Sequence, residues 1–160
     1  MLNEMLTNVR RTAPRIHSIT NYVTANDCAN ILLACGASPI MADDVNEVEE
    51  ITALCDGLNL NMGTPHEGRI ESMVKAGKRA NLLGHPVILD PVGMGASRMR
   101  TQMAYRLLHE VHFSAIRGNI SEIKALASGH NTFTGVDADV ADTITEESLP
   151  QATAFAKRFS

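Results

Sequence analysis

At 160 residues and 44% apolar content, the chain is long enough for one domain with a proper core and short for two. A formal charge of −4, no tryptophan, and only two tyrosines and four phenylalanines argue against nucleic acid as a partner, because phosphate neutralisation and base stacking both lack residues. No segment approaches the length of a membrane span, and Cys28, Cys35 and Cys55, odd in number and without C-x-x-C spacing, predict reduced, partly buried thiols in a cytoplasmic protein.

The first residues, Met1 to Arg11, carry Leu2, Met5, Leu6 and Val9 at helical spacing and lack the apolar core of a signal peptide. Pro14 ends that helix, and Arg15 to Asn21 reads as a loop or short strand. Thr24 and Asp27 have capping-box spacing and open a helix through Cys28, Ile31, Leu32 and Cys35, with Gly36 as its C′ residue. A strand over Ser38 to Ala42 leads to a second amphipathic helix, Val45 to Cys55, with Val48, Ile51 and Leu54 or Cys55 inward. Gly57 to Thr64 is a strand ending in a glycine turn, and the helix Glu67 to Leu83 turns Ile70, Met73, Val74 and Leu82 inward.

The run Val87-Ile-Leu89 between Pro86 and Pro91 predicts a strand buried on both faces. Asp90 closes it at the carboxyl end, where open α/β sheets place their ligands. Gly93 and Gly95 allow a sharp turn, and Ser97 is the N-cap of a helix from Arg98 to His109. An acid, two glycines and a helix N-terminus within eight residues make the usual frame of a phosphate or nucleotide site. A strand over Phe113 to Arg117, a helix Ile120 to Ser128, a loop Asn131 to Gly135 and a final helix Leu149 to Phe159 complete the chain. Strands and helices alternate throughout, which predicts one α/β domain over residues 1–160 with a mostly parallel sheet flanked by helices.

No P-loop motif is present, and Gly93-x-Gly95 lacks the third glycine of the dinucleotide fingerprint, which disfavours a nicotinamide enzyme. His109 and His112 are expected to be solvated, since the helix ends between them. In Arg117-Gly-Asn-Ile-Ser-Glu122, Asn119 caps the next helix and Glu122 completes the box from the N3 position. The same stretch lies at the end of a strand expected beside the one that ends in Asp90. Asp90 and Glu122 across adjacent strand ends suit Mg²⁺ held partly through water and phosphate, and the planar fork of Arg117 suits phosphate.

Six stretches in order, Ile19-Thr-Asn-Tyr-Val23, Asn26-x-x-Ala-Asn30, Gly36-Ala-Ser-Pro-Ile-Met-Ala42, Leu60-Asn-Met-Gly-Thr64, Leu89-Asp-Pro-Val-Gly93 and Arg117-Gly-Asn-x-Ser-Glu122, resemble the hydroxyethylthiazole kinase family from about Pro14 to Val136. The resemblance implies a ribokinase-like fold and transfer of the ATP γ-phosphate to the alcohol of 4-methyl-5-(2-hydroxyethyl)thiazole in thiamine biosynthesis. It implies a thiazole pocket at Asn21, Val23 and Met41 lined by Gly63 and Thr64, with Mg²⁺ at Asp90 and Glu122 and ATP at Arg117 and Asn119. It further implies a homotrimer with active sites between subunits, so that Met41 serves a neighbouring chain. The family's C-terminal strands and its Gly-Thr-Gly-Cys anion-hole turn have no counterpart in this sequence. No catalytic residue is therefore assigned, and the chain alone is expected to turn over little. A catalytically silent thiazole- or nucleotide-binding subunit acting through assembly is the alternative.

Overall fold

The computed structural model describes residues 2–128. Five parallel strands alternate with six helices in this span, in the order α1 (Leu2–Thr12), β1 (Arg15–Ile19), α2 (Ala25–Cys35), β2 (Ser38–Met41), α3 (Val48–Leu54), β3 (Gly57–Asn61), α4 (Glu67–Leu83), β4 (Val87–Asp90), α5 (Arg98–Glu110), β5 (Ala115–Ile116) and α6 (Ile120–Ser128). The stretch 15–21, open between loop and strand in sequence, is a strand as far as Ile19. The expected loop at 131–135 and helix at 149–159 lie outside the described residues.

The strands pair in the order β2-β1-β3-β4-β5, all parallel. The chain steps outward from β1 to β2, then returns past β1 to β3, so the order reverses between β1 and β3. In a sheet of this order the crevice beyond the carboxyl ends at the reversal is the ligand position. Asp90 ends β4, one strand away from that point.

Register decides which side chains share a face. Ile19, Leu60, Leu89 and Ile116 align across four strands, and His17, Leu58 and Val87 align across three. Ile19, Leu60 and Leu89 are fully buried, and so are Met73, Ala76 and Ala80 of α4 and Ala104 and Leu107 of α5, all in one core cluster. Buried His17 ties this face to α3 and to the end of β2 through its ring nitrogens, at 2.9 Å from Thr52 Oγ1 and from the Ala42 carbonyl. Burial keeps its pKa below the ordinary imidazole value, against the opposing Ala42 hydrogen bond.

The opposite face is more open, with Ile88 still 40% exposed although the apolar run of β4 predicts burial on both sides. Three further expectations change, at Thr24, Leu82 and β5. Thr24 makes no cap to α2; its N–H and hydroxyl both donate to Asn21 instead. No residue of α2 is buried, and Ile31 is 62% exposed. Leu82 faces solvent while Ala80 is buried, and of the two alternatives at the end of α3 Cys55 is the inward one and Leu54 is exposed. The β5 ladder shrinks to Ala115–Ile116 from the expected five residues. Helical period alone does not say which apolar stripe the sheet receives, and that ambiguity accounts for the reversal at Leu82.

Helix ends follow local chemistry more closely. Gly36 and Gly84 close α2 and α4 in the left-handed conformation, and Ser97 caps α5 by accepting from the Arg100 N–H at 3.2 Å. Among the described residues no helix is long and apolar enough to cross a membrane.

Candidate functional site

The segments that follow β1, β3, β4 and β5 meet at the carboxyl edge through a line of side-chain hydrogen bonds. Asn21, two residues past β1, donates through Nδ2 to Asn61 Oδ1 at 2.9 Å. Asn61, the last residue of β3, donates through Nδ2 to Asp90 Oδ2 at 2.8 Å. Arg117, just beyond β5, donates to the same Asp90 oxygen at 2.6 Å. Asn21, Asn61 and Asp90 are buried, whereas the Arg117 side chain is 73% exposed. The line therefore runs from the expected thiazole residue to the expected metal residue and surfaces at the expected ATP residue.

The Asn21 end of this line is locked. Asn21 Oδ1 accepts from the Thr24 N–H at 3.0 Å and from its hydroxyl at 3.1 Å, which orients the amide and leaves one N–H to offer. Asn61 Oδ1 also accepts from the Gly63 N–H at 2.9 Å. The backbone passes so close here that a Cβ at position 63 would stand 2.6 Å from Asn21 Cβ, and only glycine fits. Thr64 Oγ1 accepts from the Tyr22 N–H at 3.3 Å, joining the β3 turn to the β1 turn a second time.

Asn119 and Glu122 form the reciprocal box that their spacing predicts. Asn119 Oδ1 accepts from the Glu122 N–H, and Glu122 Oε2 accepts from the Asn119 N–H, both at 2.9 Å. The other carboxylate oxygen accepts from the Gly93 N–H at 2.9 Å, which fastens the glycine turn after β4 onto α6. Burial raises the Glu122 pKa most; the Gly93 and Asn119 hydrogen bonds and Arg117 lower it, and Asp90 adds repulsion. Two hard carboxylates that repel one another fit a divalent cation of the Mg²⁺ class, which takes one or two carboxylates and fills its shell with water and phosphate. Among the described residues no cluster of three or more His, Cys, Asp or Glu side chains could cage a metal by itself.

Val23 and Met41 are apolar and 83% and 39% exposed. Val23 follows Asn21 by two residues, and Met41 ends β2 next to β1. Neither is bonded into the line. Sequence reasoning missed Asn61 and Arg100. Asn61 stands inside Leu60-Asn-Met-Gly-Thr64 in register with Asp90, so a polar residue at a buried strand end was its available signal. Arg100 on α5 donates to the carbonyls of Met62 at 3.0 Å, Gly63 at 2.9 Å and Val92 at 2.8 Å, bracing the β3 and β4 turns. Burial lowers its pKa and the nearby Glu122 charge opposes that.

A parallel sheet in this strand order, with polar side chains bonded across its carboxyl ends at the reversal, defines a ligand-binding α/β protein of the open-sheet class. The model of the "Hydroxyethylthiazole kinase family" matches residues 6–160, and the chain belongs to that family. A hydroxyethylthiazole kinase of Clostridium acetobutylicum is 66% identical over 160 residues, covering 100% of this chain and 59% of the relative. One of Desulfovibrio desulfuricans is 53% identical over 157 residues, covering 98% of this chain and 55% of the relative. The solved hydroxyethylthiazole kinase protein from Pyrococcus horikoshii superposes with a TM-score of 0.83 at 40% identity, covering 98% of this chain and 56% of that one. The chain thus spans somewhat more than half the length of these relatives.

Proposed function

We propose that this chain carries the thiazole pocket and the metal-nucleotide edge of a kinase that phosphorylates 4-methyl-5-(2-hydroxyethyl)thiazole with ATP in thiamine biosynthesis. The observation that carries this reading is the continuous line Asn21–Asn61–Asp90–Arg117, which joins the residues expected for the alcohol, the metal and the nucleotide. Phosphoryl transfer depends on positioning and charge stabilisation more than on covalent chemistry by the protein, and a rigid polar line suits that demand.

Each residue has a role that its bonding permits. Asn21 has filled its oxygen with Thr24, so its remaining N–H donates to the substrate hydroxyl oxygen and orients it. Val23 and Met41 offer apolar contact to the ring. Asp90 and Glu122 hold Mg²⁺, which when bound neutralises charge on the ATP phosphates. Arg117, anchored by Asp90 and otherwise solvent-facing, presents its remaining donors to phosphate. Asn119 supports Glu122 and the glycine turn. The protein works in the cytoplasm as a homotrimer, with Met41 at a neighbouring chain's pocket.

Calorimetry with the thiazole alcohol and with Mg·ATP tests the reading. Asn21→Ala is expected to weaken thiazole binding and spare Mg·ATP, and Asp90→Asn to do the reverse, with circular dichroism unchanged in both. A wild-type protein that binds neither ligand refutes the proposal.

A further inference from the structure

Arg69 lies in the first turn of α4, outside every stretch that carries the family resemblance, yet it is 1% exposed. Its backbone N–H is held by the His66 cap at 3.2 Å, which leaves the guanidinium to act elsewhere. Nη1 donates to the Thr20 carbonyl at 3.0 Å, to Thr64 Oγ1 at 2.7 Å and to the Thr64 carbonyl at 3.4 Å. Nη2 pairs with the Asp43 carboxylate, and Cζ sits 4.1 Å from the centroid of the Tyr22 ring. One planar group thereby touches the segments that follow β1, β2 and β3.

We propose that Arg69 is the positioning residue of these three segments, setting their geometry for the thiazole ring in this chain's pocket and, through the Met41 segment, in the neighbouring chain's, while leaving the nucleotide edge to other residues. This rests on the function proposed above. Asn21 and Val23 flank Tyr22, Met41 precedes Asp43 by two residues, and Gly63 adjoins Thr64, so every expected thiazole residue lies within two positions of an Arg69 contact. Asp90, Arg117, Asn119 and Glu122 take their hydrogen bonds from Asn61, from Gly93 and from one another.

Energetics favour a positioning role over a purely stabilising one. A buried guanidinium is costly unless fully paired, and an apolar side chain of similar volume generally serves stability at least as well. Among the described residues its sole carboxylate partner is 41% exposed, and its Nε is buried with no partner. What the arginine supplies is a rigid fork that reaches several acceptors in one plane and stacks on an aromatic ring, which lysine cannot reproduce.

The test compares wild type with Arg69→Lys, which keeps charge and stem, and with Asp43→Asn, which releases the clamp from a half-exposed position. Both are measured by calorimetry and by amide hydrogen exchange. For Arg69→Lys the thiazole dissociation constant should rise about tenfold or more, as expected when pocket geometry slips, and the Mg·ATP constant should stay within about twofold. Asp43→Asn should move the thiazole constant in the same direction by a smaller factor. Exchange should quicken over residues 20–24, 43–45 and 62–66 and stay unchanged in α5. Equal losses for both ligands, unchanged thiazole affinity, or unchanged exchange in the three segments would each overturn the inference. If wild type binds no thiazole, the function proposed above fails, and the exchange pattern alone then upholds or overturns Arg69 as the clamp of the three segments.

Discussion

An asparagine amide has two N–H donors and an oxygen with two lone pairs, and at Asn61 three of these four positions are occupied by Asn21, Gly63 and Asp90. Neither aspartate nor leucine could replace it: one would face Asp90 with a second negative charge, the other would leave the buried Asn21 donor and the part-buried Gly63 N–H without an acceptor. Asn61→Ala should therefore cost about 1–3 kcal/mol of stability, the usual penalty for stranding buried polar groups. It should also weaken thiazole and Mg·ATP binding together, because it cuts the line between them. Urea unfolding and calorimetry on the same sample check both effects. If thiazole binding falls while Mg·ATP binding holds, Asn61 serves only the Asn21 side.

At the scale of elements, α4 connects the site to the core. Its N-terminal turn supplies Arg69 to the carboxyl edge, and its middle packs Met73, Ala76, Gly77 and Ala80 inward. Gly77 is where α4 approaches the end of α5: a Cβ there would lie 2.5 Å from Val111 Cγ2 and 2.7 Å from Cγ1. Helix propensity favours alanine over glycine by about 1 kcal/mol at such a position, but overpacking a tight contact costs about 1–3 kcal/mol. The contact wins. Gly77→Ala is expected to lower the urea midpoint while leaving thiazole affinity intact, because Arg69 lies two turns away on the same helix. A raised midpoint would show that Val111 yields without strain.

On the scale of the whole molecule, the two faces of the sheet are unequal. One carries the buried cluster beneath α4 and α5; the other leaves Ile88 40% exposed, and at the β2 edge α2 keeps Ile31 62% and Leu33 58% exposed. Ile31 and Leu33, two positions apart, face different sides of α2, and each is an aliphatic side chain that an assembly could bury. The proposed trimer gives them a partner of the same sequence. Light scattering on a sizing column is expected to give three times the monomer mass, and Ile31→Glu to shift the population toward monomer. A wild-type protein that runs as a monomer would refute the trimer and leave the pocket to be completed within one chain.

The sequence by itself determined what short-range physics controls. Proline, glycine and cap residues bound β4 and α6 as read, and the Asn119–Glu122 box follows from spacing three apart. Alternating strands and helices led to a parallel sheet, and Asp90 to its carboxyl edge. Only the tertiary structure decided the strand order, because pairing between distant strands leaves no mark in local periodicity. That order put the reversal between β1 and β3, so Asn21 and Asn61 meet although 40 residues separate them. It also chose solvent for Leu82 and the interior for Arg69. A helical stripe says which residues share a face, but whether a charge can be buried depends on acceptors supplied from elsewhere. For Arg69 those acceptors sit as far as 49 residues away, and folding alone brings them to the guanidinium.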